Sequence, residues 1–211
     1  MPPTDILLAF FVTTAIFAYM PGPAMLYATA QTLARGRTAG LMAALGIHLG
    51  GYAHVIAAAA GLSVLFHAVP PLYLAVKVAG ALYLVWLGWS LIRSAGSTLA
   101  AEGANSATAS ARKAFFESIT VEVLNPKTAI FFLAFLPQFV DPSAGLPVWA
   151  QFLVLGTAVN LMFSSADLVC VFFAAGLRAR LARSGRAQKL ARRIGGTILI
   201  GLGANLALQR S

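Results

Sequence analysis

The stretch "IFAYMPGPAMLYATAQ", residues 16–31, sets Pro21, Gly22 and Pro23 in the middle of an apolar run. Proline lacks the N–H that a helix interior needs, and its ring clashes with the carbonyl four residues back. In hydrocarbon, backbone groups released in this way are costly unless protein or water takes them up. Whether the run is a membrane helix with a built-in break therefore decides the fold. Composition answers the first half of that question. Of 211 residues, 59% are hydrophobic and only 10% charged, and the mean hydropathy is +0.82. A soluble domain carries about 25% charged residues, so this chain has too few to cover a soluble surface. It reads as an all-α integral membrane protein in a lipid bilayer. The net charge of +9 does not indicate nucleic acid as a partner. The basic residues are confined to a few short connections, the pattern of cytoplasmic loops.

Spans need roughly 17–25 mostly apolar residues. Six candidates follow: Ile6–Leu33, Ala39–Phe66, Leu72–Ile92, Ala114–Val140, Leu146–Leu177 and Ile194–Leu208. The last is short, and Arg192, Arg193 and Arg210 extend it if they snorkel. The N-terminal residues before Ile6 contain no Lys or Arg. The basic region of a cleaved signal is missing there, so the first run is read as a retained span. Alternate loops hold Arg35 and Arg37, then Arg93, Arg112 and Lys113, then seven residues from Arg178 to Arg193, together twelve of the fifteen basic residues. That asymmetry places these loops in the cytoplasm and both termini in the periplasm. The lone Cys170 lies in an apolar run, where a free cysteine acts as a small hydrophobe.

The connection "SAGSTLAAEGANSATASAR", residues 94–112, is rich in Ser, Ala and Gly and reads as a flexible linker. It divides the chain into a first three-span repeat (1–93), a cytoplasmic linker (94–113) and a second three-span repeat (114–211). An odd number of spans per half forces the halves into opposite orientations, the geometry of an inverted repeat. In each half the first span is broken by proline. Ahead of Pro21 and Pro23, the carbonyls around Phe17 and Tyr19 are expected to lose their helical partners. Beyond the break a half-helix starts with free N–H groups and a positive dipole end, which suits a carboxylate. In the second break Asn125 is a favoured N-cap and Pro126 a favoured first helical residue. Lys127 adds a cation deep in the span, where an ionisable group is a functional candidate. Taken singly, either break also reads as a structural kink. Paired Pro/Gly breaks at corresponding places are the stronger pointer to a transporter's binding site.

Few other polar groups lie at depth. Glu122, one turn before Asn125, is open to two readings: a proton-coupling carboxylate or partner for Lys127, and a residue of the cytoplasmic interface. Asp167 sits ten residues before Leu177, about 15 Å along a helix. Its readings are a proton-coupling group and a structural ion pair. Asn160, Ser164 and Ser165 suit interhelical hydrogen bonds. His48 and His54 are six residues apart and face different sides of a helix, which argues against a joint metal site. His54 is read as a buried neutral histidine or a proton relay.

The chain resembles the lysine exporter (LysE/RhtB) family of amino-acid efflux proteins, nearly end to end. The resemblance is carried by "PGPAMLYATAQTLARGRTAGLMAALGIHLGG" (21–51), "VKVAGALYLVWLGWSLIRS" (76–94), "LNPKTAIFFLAFLPQFVDP" (124–142) and "RRIGGTILIGLGANLAL" (192–208). It implies a six-span bacterial inner-membrane protein that expels amino acids or related metabolites, driven by the proton-motive force. It also carries Pro21, Gly22, Pro23, Asn125, Pro126 and Lys127 into the substrate site. The family often has glycine and asparagine where this chain has Ser118 and Glu122, and that departure bears on the substrate.

No nucleotide-binding G-x-x-x-x-G-K-[ST] occurs, so a gradient must drive any active transport, and no cofactor is expected. A homodimer remains open. An intramembrane enzyme would need a nucleophile with its base, an acid pair or a metal cluster; neither H-E-x-x-H nor G-x-S-x-G is present. A passive facilitator or a non-transporting subunit is the other alternative.

Overall fold

The structure is a computed structural model that describes residues 3–61, 70–93, 104–181 and 185–208. The described residues contain no strand. The elements are α1 (Thr4–Tyr19), α2 (Pro23–Arg35), α3 (Arg37–Ala59), α4 (Pro70–Arg93), α5 (Ala104–Val123) and α6 (Pro126–Ile130). A π-turn (Phe131–Phe135) and a 3-10 turn (Leu136–Phe139) follow, then α7 (Val148–Leu181) and α8 (Gly185–Leu208). Three stretches are long and apolar enough to cross a membrane: Arg37–Ala59, Ala109–Phe139 and Val148–Ala179. The α1–α2 pair makes a fourth when counted as one span, bent by 44° at the Pro-Gly-Pro. The chain is therefore an all-helical, multi-pass membrane protein. Large apolar side chains such as Leu8, Ile16, Leu82, Trp89 and Phe173 point outward, as contact with lipid requires.

Several boundaries move from the expected places. α5 begins at Ala104, within the stretch read as linker; its Ala-rich sequence is a good helix former. Residues 94–103 lie outside the described residues, as does Arg210. α8 begins at Gly185 and takes in Arg186, Lys189, Arg192 and Arg193, which charge had assigned to a loop. Arg, Lys, Gln, Leu and Ala all favour helix.

α3 is sandwiched between α5 and α7, α2 packs on α8, α3 and α7, and α4 runs along α8. Small residues permit these approaches. A Cβ on Gly50 would come within 2.9 Å of the Ile119 carbonyl, and one on Gly88 within 2.6 Å of the Gly196 carbonyl. α1 packs on α7 and touches the 3-10 turn. The corner between α2 and α3 turns on Gly36 at φ +104°, and a side chain there would run into the Arg178 guanidinium. The φ region is one that L-residues avoid.

Between the 3-10 turn and α7, residues 141–146 are held by one buried side chain. Gln151 donates to the carbonyls of Asp141 (2.7 Å) and Leu146 (2.8 Å) and accepts from the Asp141 N–H at 3.0 Å. Asp141 in turn accepts from the Ser143 hydroxyl and N–H, which hold its carboxyl below the usual carboxylate range. Gln151→Ala should lower the melting temperature in detergent, since about 1 kcal/mol is lost per hydrogen bond. An unchanged melting temperature would show that water replaces all three bonds without loss.

Candidate functional site

The two proline breaks meet. Pro21 and Pro23 end α1 and start α2, with Gly22 as the extended N-cap residue (φ −141°, ψ 176°). On the other side, Leu124 and Asn125 part α5 from α6. Asn125 caps α6 as expected: its Oδ1 accepts from the Lys127 N–H at 3.1 Å, while its Nδ2 donates to Glu122 Oε2 at 2.8 Å. Pro126 occupies the first position of α6.

Lys127 crosses from the second break to the first. Its ammonium donates to the carbonyls of Met20 and Ala18, the latter at 3.5 Å. These acceptors close the C-terminal end of α1, where the helix dipole favours a cation. They are not the carbonyls expected from proline geometry alone. The Met20 N–H turns back to the Phe17 carbonyl at 3.3 Å, so Phe17 regains a partner through a tighter turn. The lysine stem lies against Gly22: a Cβ there would sit 2.5 Å from Lys127 Cδ. Since the Gly22 backbone is open to any residue, glycine is needed at 22 for this close approach.

Two rings border the lysine, within a cluster of four. Phe17, Phe131, Phe135 and Phe163 stack and tilt together, with Phe17–Phe131 centroids 5.0 Å apart and Phe131–Phe163 5.5 Å. The Lys127 Nζ lies 5.3 Å from the Phe17 centroid and 5.1 Å from that of Phe163, within cation–π range. The π-turn helps to place two of the rings, bringing Phe131 and Phe135 nearly parallel at 11°. Pro137 cannot continue an α-ladder, so the helix changes winding ahead of it.

Around the ammonium is a cavity of about 20 Å³, room for one water, inside a recess of about 330 Å³ that includes open solvent. Its lining includes Gly22, Glu122, Asn125, Lys127 and Asp167. Glu122 is 3% exposed and Asp167 4%, so neither lies at a solvated interface. Both act electrostatically on Lys127, yet neither closes an ion pair with it, because the ammonium is taken by backbone. The Thr128 hydroxyl lies beside Glu122 but outside hydrogen-bond geometry. The cavity thus holds one cation, two carboxylates and two amides, with Ala24, Met25, Ile47 and Phe163 as an apolar wall.

His54 stands apart from this lining. Its Nε2 donates to the Glu122 backbone carbonyl at 2.8 Å, tying α3 to the end of α5. His48 and Asn160 join α3 to α7: Asn160 Nδ2 donates to the His48 carbonyl at 2.9 Å, and His48 Nδ1 meets Ser164 Oγ at 2.7 Å. Asn160 also lines the cavity. Among the described residues no His/Cys/Asp/Glu group has metal-binding geometry. Sequence reasoning missed Met25, Thr128 and Phe163. A signal existed for the last: Asn160, Phe163 and Asp167 fall at i, i+3 and i+7 on α7, one helical face.

Comparison with known proteins bears on the family. The model of the LysE type translocator family matches residues 15–210. The chain is 31% identical to an uncharacterised membrane protein of Pseudomonas aeruginosa over 201 residues, 93% of each chain. It is 31% identical to a leucine efflux protein of an Enterobacter species over 202 residues, again 93% of each. A homoserine/homoserine lactone efflux protein of Salmonella typhimurium is 29% identical over 209 residues, 96% of each. No solved structure matches the chain. With the family model spanning nearly its whole length and relatives aligned from end to end, the chain belongs to the LysE (LysE/RhtB) family of translocators.

Proposed function

We propose that the protein is a secondary active exporter of amino acids or their close derivatives, coupled to protons, in a bacterial inner membrane. One observation carries this reading: Lys127 of the second break is held on the carbonyls of the first, in a cavity it shares with two buried carboxylates. A substrate carboxylate competes with the Ala18 and Met20 carbonyls for the ammonium, helped by the Ala24 and Met25 N–H groups at the start of α2. Asp167 or Glu122 faces the substrate's ammonium and exchanges protons with water on the two sides of the membrane in step with substrate binding and release. Leucine and homoserine efflux among the relatives supports substrates of this kind. So does the apolar wall beside the charged groups.

The architecture that goes with this function is two inverted three-helix repeats, 1–93 and 114–211, about a linker at 94–113 that is helical from Ala104 on. α4 and α8 complete six spans, and both termini lie in the periplasm. Packing of α3 on α7 and of α4 on α8, equivalent members of the two halves, supports it. A homodimer is compatible with it.

The test is flux in proteoliposomes over a panel that includes leucine and homoserine, with and without an imposed pH gradient. Saturable flux accelerated by the gradient is expected. Equilibration indifferent to the gradient would make the protein a facilitator, and absence of flux for every compound would make it a subunit. Asp167→Asn should retain counterflow exchange of substrate while losing the acceleration by pH. His54→Gln, which keeps a donor for the Glu122 carbonyl, is the companion variant. If coupling fails there and survives in Asp167→Asn, the proton route runs through the imidazole.

A further inference from the structure

A second set of buried polar groups lies on α2, away from the lysine cavity. Tyr27, Gln31 and Arg35 are spaced by four and share one face of the helix. At 1.5 Å per residue they lie about 7, 13 and 20 Å beyond Gly22, a row that leads from the cavity to the end of α2. Tyr27 is fully buried and donates to Glu117 Oε2 at 2.9 Å. Glu117 pairs in turn with the exposed Lys113 at 3.8 Å. Each of the next two residues carries one unsatisfied atom. Gln31 is 2% exposed and its Oε1 has no hydrogen-bond partner. Arg35 Nη1 is buried and has none either. Buried polar atoms without partners are rare and costly, and two of them four residues apart ask for an explanation.

The two needs are complementary. Gln31 Oε1 requires a donor, and the Arg35 guanidinium requires an acceptor, best a carboxylate that it meets with two N–H groups. An α-amino acid offers both on one carbon. A fully ionised phosphate monoester would serve Arg35 and leave Gln31 without a donor. We propose that Gln31 and Arg35, above the Tyr27–Glu117 pair, form a second binding station that receives the α-ammonium and α-carboxylate of an amino acid on its way to Lys127. The inference rests on the exporter reading for its ligand class, but on its own residues for its place.

Gln31→Leu tests it. Leucine fills a similar volume and removes an unsatisfied acceptor, so folding should be unharmed or improved. The measurement is KM and maximal rate in inside-out vesicles, using the amino acid of the panel that wild type transports best, together with the melting temperature. The expected result is KM raised about tenfold, as loss of one hydrogen bond to a charged group implies, with the maximal rate and the melting temperature kept. Arg35→Lys, which keeps charge but not the two-pronged donor, should also raise KM. In the Lys127→Ala background, equilibrium binding of the same amino acid should persist weakly and vanish on adding Gln31→Leu. Unchanged KM in both single variants would mean that these atoms hold only water, and would overturn the station while leaving the exporter intact. If wild type moves no amino acid at all, the exporter reading fails first.

Discussion

Lys127→Ala is expected to abolish efflux while the protein still inserts and folds. The ammonium is the cation of a cavity that otherwise holds Glu122 and Asp167. Removing it leaves two carboxylates facing each other and two carbonyls of α1 without their donor. Loss of one member of a buried charged hydrogen-bond set costs about 2–5 kcal/mol, which corresponds to a drop in kcat/KM of about 30-fold to several thousand-fold. Flux in proteoliposomes measures the loss, and the elution profile in detergent checks the fold. Arginine should not rescue it: the lysine stem lies hard against Gly22 with its amine over the Phe17 and Phe163 rings, and the guanidinium is a broader, planar group. Wild-type export by Lys127→Ala would remove the lysine from the mechanism and leave both breaks as kinks.

Gly22→Ala should be nearly as damaging, although it changes one hydrogen for a methyl group. Its backbone is extended (φ −141°), so alanine suffers no conformational penalty. The damage is steric and falls on Lys127, whose Cδ lies 2.5 Å from the new Cβ. The lysine must leave the Ala18 and Met20 carbonyls and its place over the Phe17 and Phe163 rings. A fall in transport of about tenfold or more is expected for a displacement near 1 Å at a positioned group. A double-mutant cycle read on the melting temperature isolates the cause, since transport is already lost without the lysine. In the Lys127→Ala background the methyl group should lower it no further. Additive losses would place the effect of Gly22 elsewhere, in the bend itself.

These two residues also show where sequence is informative. Proline acts on its own backbone and on the turn before it, so the breaks at 21–23 and 125–126 were legible without tertiary information. The Asn125 cap, two residues from its donor, was legible for the same reason. Gly22 was legible as a breaker only. Its close contact with Lys127 joins positions 105 residues apart, and no local pattern encodes it. Proline geometry pointed to the carbonyls around Phe17 and Tyr19 without naming their new donor; those that accept from Lys127 are the neighbours Ala18 and Met20, because the Met20 N–H takes up the Phe17 carbonyl. Whether a terminal N–H bonds three or four residues back depends on the last turn's torsions rather than on residue type. The start of α8 was misplaced because charge was taken as a loop signal, while Arg and Lys are also good helix formers. The aromatic wall was invisible because its four rings come from three separate elements.

Among the helices, α1 has the smallest hold on the rest. It packs on α7 and touches the 3-10 turn, and most of its apolar side chains face outward. Its far end is moored to the second half of the chain by the lysine's grip on Ala18 and Met20. In the proposed exporter, an anion that draws that amine aside removes one part of the mooring and leaves the Tyr19 hydroxyl near Ser165 and the Phe17 ring on Phe131 and Phe163. Loading the cargo would then loosen one limb of the bundle in the same event, with no separate messenger needed between them.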